Sequence, residues 1–271
     1  MTFAVRSNIA LERYMMKPDV RVVLAAAMLS SGFSQAVRAE PTVVEARTIA
    51  RGAKFLGGFQ APVRITLTDA DTGEILARGQ TRGTTGDTQR VLTRGAASEG
   101  RMATEDSAVF RATLDLDRPR RVTISASGPL SQPQASTTVT STQWILPGRN
   151  LTAGDGWLLE MPGLIVDVTA PSAYQQVKAG TSIRLRASVT MLCGCPISQE
   201  GPWRAADTEV EAYVTREGAA PQRISLIFDP EASEFVAGLS DLRPGLYEVE
   251  FRAWVQQSNN AGVARTAFFV R

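Results

Sequence analysis

The sequence predicts an all-β protein: two β-sandwich domains in tandem after a cleaved signal peptide. Three observations lead there. Short segments alternate apolar and polar residues with period two. Turn-forming Gly, Pro, Asp and Ser recur at short intervals between them. No long stretch carries the 3.6-residue period and the caps of a helix.

The leader comes first. Lys17 and Arg21 precede the apolar run from Val22 to Leu29, and small and polar residues follow down to Val37-Arg38-Ala39. That order is the charged, apolar and small-residue plan of a secretory signal, so residues 1–39 are read as leader and signal peptide, cleaved near Ala39-Glu40. Met16 would make a better start for this signal than Met1. The apolar run is too short for a permanent membrane span, and no cysteine follows it closely to take a lipid. The expected product is periplasmic or secreted, with no transmembrane anchor after cleavage.

Residues 40–160 read as the first sandwich. Its expected strands cover residues 42–48, 63–68, 74–81, 89–93, 108–114, 121–127 and 137–146, with a short strand at 157–160. Asp69-Ala70-Asp71-Thr72-Gly73 is read as a hairpin turn. As a calcium loop it would need a glutamate at its twelfth position, where Gln80 stands. The run from Arg82 to Thr88 is rich in Gly and Thr but lacks the Lys and helix of a phosphate-binding loop. Between Pro147 and Gly163 lie four glycines and two prolines, which places the domain boundary near Met161-Pro162-Gly163.

Residues 164–271 read as up to eight strands: 164–168, 176–178, 182–191, 209–216, 222–228, 234–238, 246–256 and 263–270. In the seventh, Tyr247, Val249, Phe251, Ala253 and Val255 alternate with Glu248, Glu250, Arg252, Trp254 and Gln256. The phrase Leu242-Arg243-Pro244-Gly245-Leu246-Tyr247 sets a tyrosine just after a Pro-Gly turn. This resembles the tyrosine corner of immunoglobulin-like and fibronectin type III sandwiches. The resemblance spans roughly residues 164–271 and implies architecture, since such modules host binding, scaffolding and occasionally catalysis. One departure is informative: the second long strand has no cysteine, so Cys193 and Cys195 cannot form the usual inter-sheet bridge.

Thr190-Met191-Leu192-Cys193-Gly194-Cys195-Pro196 holds both cysteines of the chain. If the strand through Ile183, Leu185, Ala187, Val189 and Met191 stays extended, Cys193 and Cys195 keep the parity of Met191 and three sulfurs fall in a row. Three readings stand side by side. A structural disulfide would close a loop too short to stabilise the fold by much. A labile, exchangeable pair would do redox chemistry. Two thiolates with a thioether (Met191, Cys193 and Cys195) would suit a soft metal such as copper in its Cu(I) form.

Several chemistries are excluded. The chain has no histidine, which removes Ser-His-Asp and Cys-His hydrolases and His-ligated zinc or haem. Without residues 1–39, which carry five of the 29 basic and two of the 27 acidic side chains, the chain is near neutral. It therefore has no electrostatic footprint for nucleic acid. Asp207, Glu209 and Glu211 could act as paired carboxylates, but alternation with Val210, Ala212 and Val214 reads as a solvent-facing stripe. Trp203, in the loop after Pro196, is read as a lid over the sandwich end or a partner-stacking residue. Trp254, on the polar face of its strand, is read as an inter-domain contact or part of an exposed patch. The expected function is non-catalytic binding or scaffolding of another envelope protein, with copper handling or thiol redox chemistry at Met191, Cys193 and Cys195 as the alternative.

Overall fold

The computed structural model describes residues 38–94 and 100–271; the signal-peptide assignment lies, up to residue 37, outside the described residues. The described residues are dominated by strands, and Ala39–Arg271 forms one compact unit.

The first seven strands are β1 (Glu40–Ala50), β2 (Arg64–Asp69), β3 (Ile75–Gln80), β4 (Phe110–Leu116), β5 (Arg120–Gly128), β6 (Thr137–Ile145) and β7 (Trp157–Met161). They make two sheets, ordered β4-β1-β7 and β3-β2-β5-β6. Alternation explains how they meet. Val44, Ala46 and Ala50 of β1 point into a core shared with Ile65, Leu67, Val122, Ile124 and Ala126 of the other sheet. β7 lies parallel to β1, from Ala46 opposite Trp157 to Ala50 opposite Met161.

One expected strand is a helix. Residues 89–93 belong to α1 (Thr88–Arg94), because Asp87 caps it: its Oδ1 accepts the Arg90 N–H at 2.7 Å and its carbonyl accepts the Val91 N–H at 3.0 Å. The alternation read there was five residues long, too few to separate the two periods. Val91 packs instead with Phe55, Ala103 and Ala108 in a small second core, with Ile49 of β1 against it. β1 is consequently covered on both faces, and Arg47 is fully buried.

The remaining strands are β8 (Leu164–Ala170), β9 (Gln175–Val177), β10 (Ile183–Met191), β11 (Thr208–Arg216), β12 (Gln222–Ser225), β13 (Ile227–Asp229), β14 (Glu234–Leu239), β15 (Gly245–Val255) and β16 (Asn260–Val270). The strand expected over 222–228 is two. β12 pairs with β11 and β13 with β14, so the chain changes sheets at Leu226, whose side chain is buried. The sheets are ordered β13-β14-β10-β8 and β12-β11-β15-β16-β9. This order reproduces the two sheets of an immunoglobulin sandwich, with β9 and β12 added at the edges of the second. Tyr247 completes the corner: its hydroxyl accepts the Arg243 N–H at 3.0 Å, and its ring stacks on Phe268 at 5.0 Å. Where antibody domains carry a bridge, Leu185, Ala187 and Phe251 fill the core. The second sandwich is immunoglobulin-like.

Candidate functional site

β10 does not run on extended past Met191. The Gly194 N–H donates to the Met191 carbonyl at 2.8 Å, and the Met191 N–H donates to the Cys195 carbonyl at 2.9 Å. Gly194 takes φ +77°, and Pro196 bridges back to Thr190. The row of three sulfurs expected from strand parity is thus replaced by a tight turn, because the backbone bonds of this segment close on themselves. A disulfide joins Cys193 and Cys195 across it. Met191, Cys193 and Cys195 are all buried.

The turn abuts the first sandwich. A Cβ on Gly194 would lie 3.3 Å from the side-chain oxygen of Gln60, so Gly194 makes a close approach as well as a turn. Beside it, the Trp203 indole N–H donates to the Gly52 carbonyl at 2.9 Å. Asn260, fully buried, donates to the Arg51 carbonyl at 2.9 Å and accepts the Gly163 N–H at 3.0 Å. Gln134 donates to Asp167 at 2.6 Å. The loops at this end of the second sandwich are therefore fastened to the Arg51-Gly52 turn of the first. A cavity of about 230 Å³ lies at the seam, lined by Gly52, Met191, Ile197, Trp203, Val255 and Ser258, among others. Trp203 turns its one polar group inward here.

Trp254 stands elsewhere. It is 38 % exposed on the outer face of the five-stranded sheet, opposite Glu209 of β11 and Ala261 of β16. The same face carries an interleaved charge ladder. Arg223 and the Tyr213 hydroxyl hold Glu211, the Arg252 guanidinium sits 3.8 Å over the Tyr213 ring, and Glu250 accepts from Arg252 at 2.6 Å and Arg265 at 2.7 Å. Arg223 holds the Glu211 carboxyl below the ordinary range, and Arg252 and Arg265 do the same for Glu250. Of the expected acidic stripe, Glu209 and Glu211 share this face, whereas Asp207 ends a short 3-10 turn, paired with Arg204.

Comparisons with known proteins add the following. No family model matches the sequence, and no curated protein matches it. Among solved structures, an engineered protein is 16 % identical at a TM-score of 0.31, over 47 % of this chain and 24 % of that one. The chain thus spans about a quarter of that protein. Fibronectin(III)-like modules of Clostridium thermocellum CbhA are 12 % identical at 0.27, over 85 % of this chain and 94 % of theirs. The chicken interferon gamma receptor alpha chain is 10 % identical at 0.31, over 85 % and 97 %. At such scores the sandwich assignment stands on the strand order itself.

Two features escaped the sequence reading. Arg47 looks like a solvent-facing residue of β1, yet it is buried, donating to Glu45 at 2.9 Å and the Asp155 carbonyl at 3.1 Å. Burial raises the Glu45 pKa, but Arg111 and Arg47 outweigh it and the net shift is downward. The Asp155 carboxylate in turn accepts the N–H groups of Met102 and Ala103, at 3.0 and 2.8 Å. The signal for this was the long connection from β3 to β4, which had to pack somewhere. Asn260 is the second. Nothing in its surroundings in the sequence marks it, because its partners Arg51 and Gly163 are distant in the chain.

Proposed function

We propose that the chain is an exported, non-catalytic binding or scaffolding protein of the bacterial envelope, periplasmic or secreted, with domains at residues 40–160 and 164–271. The observation that carries this reading is how the second sandwich uses its surfaces. Its loop end, with Trp203, is taken up by the contact with the first sandwich. The outer face of the five-stranded sheet stays open and presents Trp254 beside paired charges. A large aromatic among arginines is the residue composition of protein-binding patches, so another envelope protein is the partner. Glu45, Asp69, Asp106, Glu211 and Glu250 all shift downward, each held as a carboxylate by the hydrogen bonds and arginines around it. The test is a photo-crosslinking residue at position 254 in the exporting cell, with one at Thr181 as control. A discrete adduct at 254 alone, lost in competition with unlabelled protein but not with its Trp254→Ala variant, supports the reading. Equal labelling at both positions refutes it.

A second reading keeps thiol redox chemistry or copper binding at Met191, Cys193 and Cys195. One observation favours it: the disulfide spans a single residue, so its contribution to stability is small and another use is needed to explain it. Copper would require the reduced pair, since thiolates are the ligands. Intact-mass spectrometry of the native protein, before and after mild reduction and Cu(I) addition, decides. A bound copper mass absent from the Cys193→Ser/Cys195→Ser variant supports metal. A bond that exchanges readily without taking metal supports redox chemistry, and an inert bond removes both.

A further inference from the structure

The sheets present eight edge strands among the described residues: β3, β4, β6, β7, β8, β9, β12 and β13. An open edge is a row of unpaired N–H and C=O groups, and proteins blunt such rows with charge, brevity, Pro or a bulge. Seven of the eight edges are protected in this way. β3 carries Arg78 and a register shift, β4 carries Arg111 and Asp115, and β8 carries Asp167 and a register shift. β9 and β13 are three residues long, β12 is four with Arg223, and β7 is five with Glu160. β6 is the exception. Its nine residues, Thr-Thr-Val-Thr-Ser-Thr-Gln-Trp-Ile, include no charge, Pro or Gly. They pair with β5 in unbroken register from Thr137 to Ile145. Thr138, Thr140, Ser141 and Thr142 are exposed, which covers both faces in mid-strand, and Trp144 is 62 % exposed.

We propose that β6 is a self-association edge: two copies of this chain pair β6 antiparallel to β6, joining two four-stranded sheets into one continuous sheet. What selects a second copy is self-complementarity. A two-fold axis at Thr140 sets Thr138 against Thr142, Val139 against Ser141 and Thr137 against Gln143, every pair neutral. The hydroxyl pairs this creates match those already made across β5 and β6, Ser127 to Thr138 and Thr123 to Thr142, both at 2.8 Å. Trp144 falls opposite Ser136 near each end and gains cover on the partner's strand. A strand with no charge offers a charged partner segment nothing to recognise, but meets its own copy without repulsion. β6 belongs to the first sandwich and Trp254 to the second, so this inference does not depend on the partner-binding reading.

The test is sedimentation velocity on the exported chain over a concentration series. The expected wild-type result is a twofold mass, returning to the monomer mass in Thr140→Lys and in Thr140→Pro with the far-ultraviolet circular dichroism unchanged. Because proline could unfold the strand, a third variant reports in the folded dimer. Thr140→Cys should cross-link to a covalent dimer on mild oxidation, and Ile75→Cys, exposed on the opposite edge, should not. A wild-type monomer at every concentration overturns the proposal. So does a dimer that survives folded Thr140→Lys, or equal cross-linking from both cysteine positions.

Discussion

The turns at Asp69–Gly73 and Met191–Cys195 each reverse the chain through a glycine at φ +77°, Gly73 in one and Gly194 in the other. They are fastened by unlike chemistry. In the first, the Asp69 carboxylate accepts the N–H groups of Asp71 and Thr72, both at 2.9 Å, and Arg120 braces its second oxygen at 3.0 Å. In the second, a covalent bond spans Cys193 and Cys195. The first turn is anchored within its own sheet. The second rests on another sandwich, beside the hydrogen bonds of Asn260 and Trp203. A carboxylate that bonds its own backbone is thus enough where a turn stands alone. The disulfide sits where docking already holds the chain, so the comparison predicts that docking matters more than the bond.

The largest effect should come from the seam. Asn260→Ala strips a fully buried side chain and leaves the Arg51 carbonyl and Gly163 N–H unpaired, a loss of about 3 kcal/mol in denaturant unfolding. Acid comes next and should separate the two turns. The Thr72 N–H bond, with help from Arg120, draws the Asp69 pKa down from 3.8 to about 2. A depressed carboxylate stabilises the folded state fully above its unfolded pKa and loses that contribution as pH falls through the folded one. The protection of the Asp71 and Thr72 amides, taken against their intrinsic exchange rates, should therefore fall between about pH 4 and pH 2, while Gly194, in a turn without a titrating group, keeps its protection. Were both turns to loosen together, the Asp69 carboxylate would not be what holds the first. Removing the bond in Cys193→Ala/Cys195→Ala should cost about 1.5 kcal/mol at most, the chain-entropy limit for so short a loop. Trp203→Phe is the smallest test: it deletes one hydrogen bond to Gly52 and should cost about 1 kcal/mol with the ring still packed.

Much of this architecture could be read from residue order, and the reasons are local. β11 and β15 alternate cleanly because one face is buried, and the Pro-Gly turn before Tyr247 announces the corner. Pro162-Gly163 separates the last strand of the first two sheets from the first strand of the next two. What stayed hidden depends on distant partners. α1 reads as a strand because Gln89–Thr93 is too short for periodicity, and Asp87 as its cap is the better signal. The Cys193 turn reads as extended chain when parity is carried past the end of β10, through a glycine that breaks it. Trp203 was legible as a lid or a contact, but its acceptor, the Gly52 carbonyl, is 151 residues away. No pattern in either segment names the other.

The pairing of β1 with β7 has a consequence in time. Ala46 meets Trp157 only when the chain between them has been made, and β4 reaches β1 earlier, with Phe110 against the same Ala46. As the chain emerges N-terminus first, β1 can gain one neighbour but must wait for Met161 before its sheet is complete. Until then one edge of β1 stays open, so the first sandwich is completed late, close to the moment the second begins to appear.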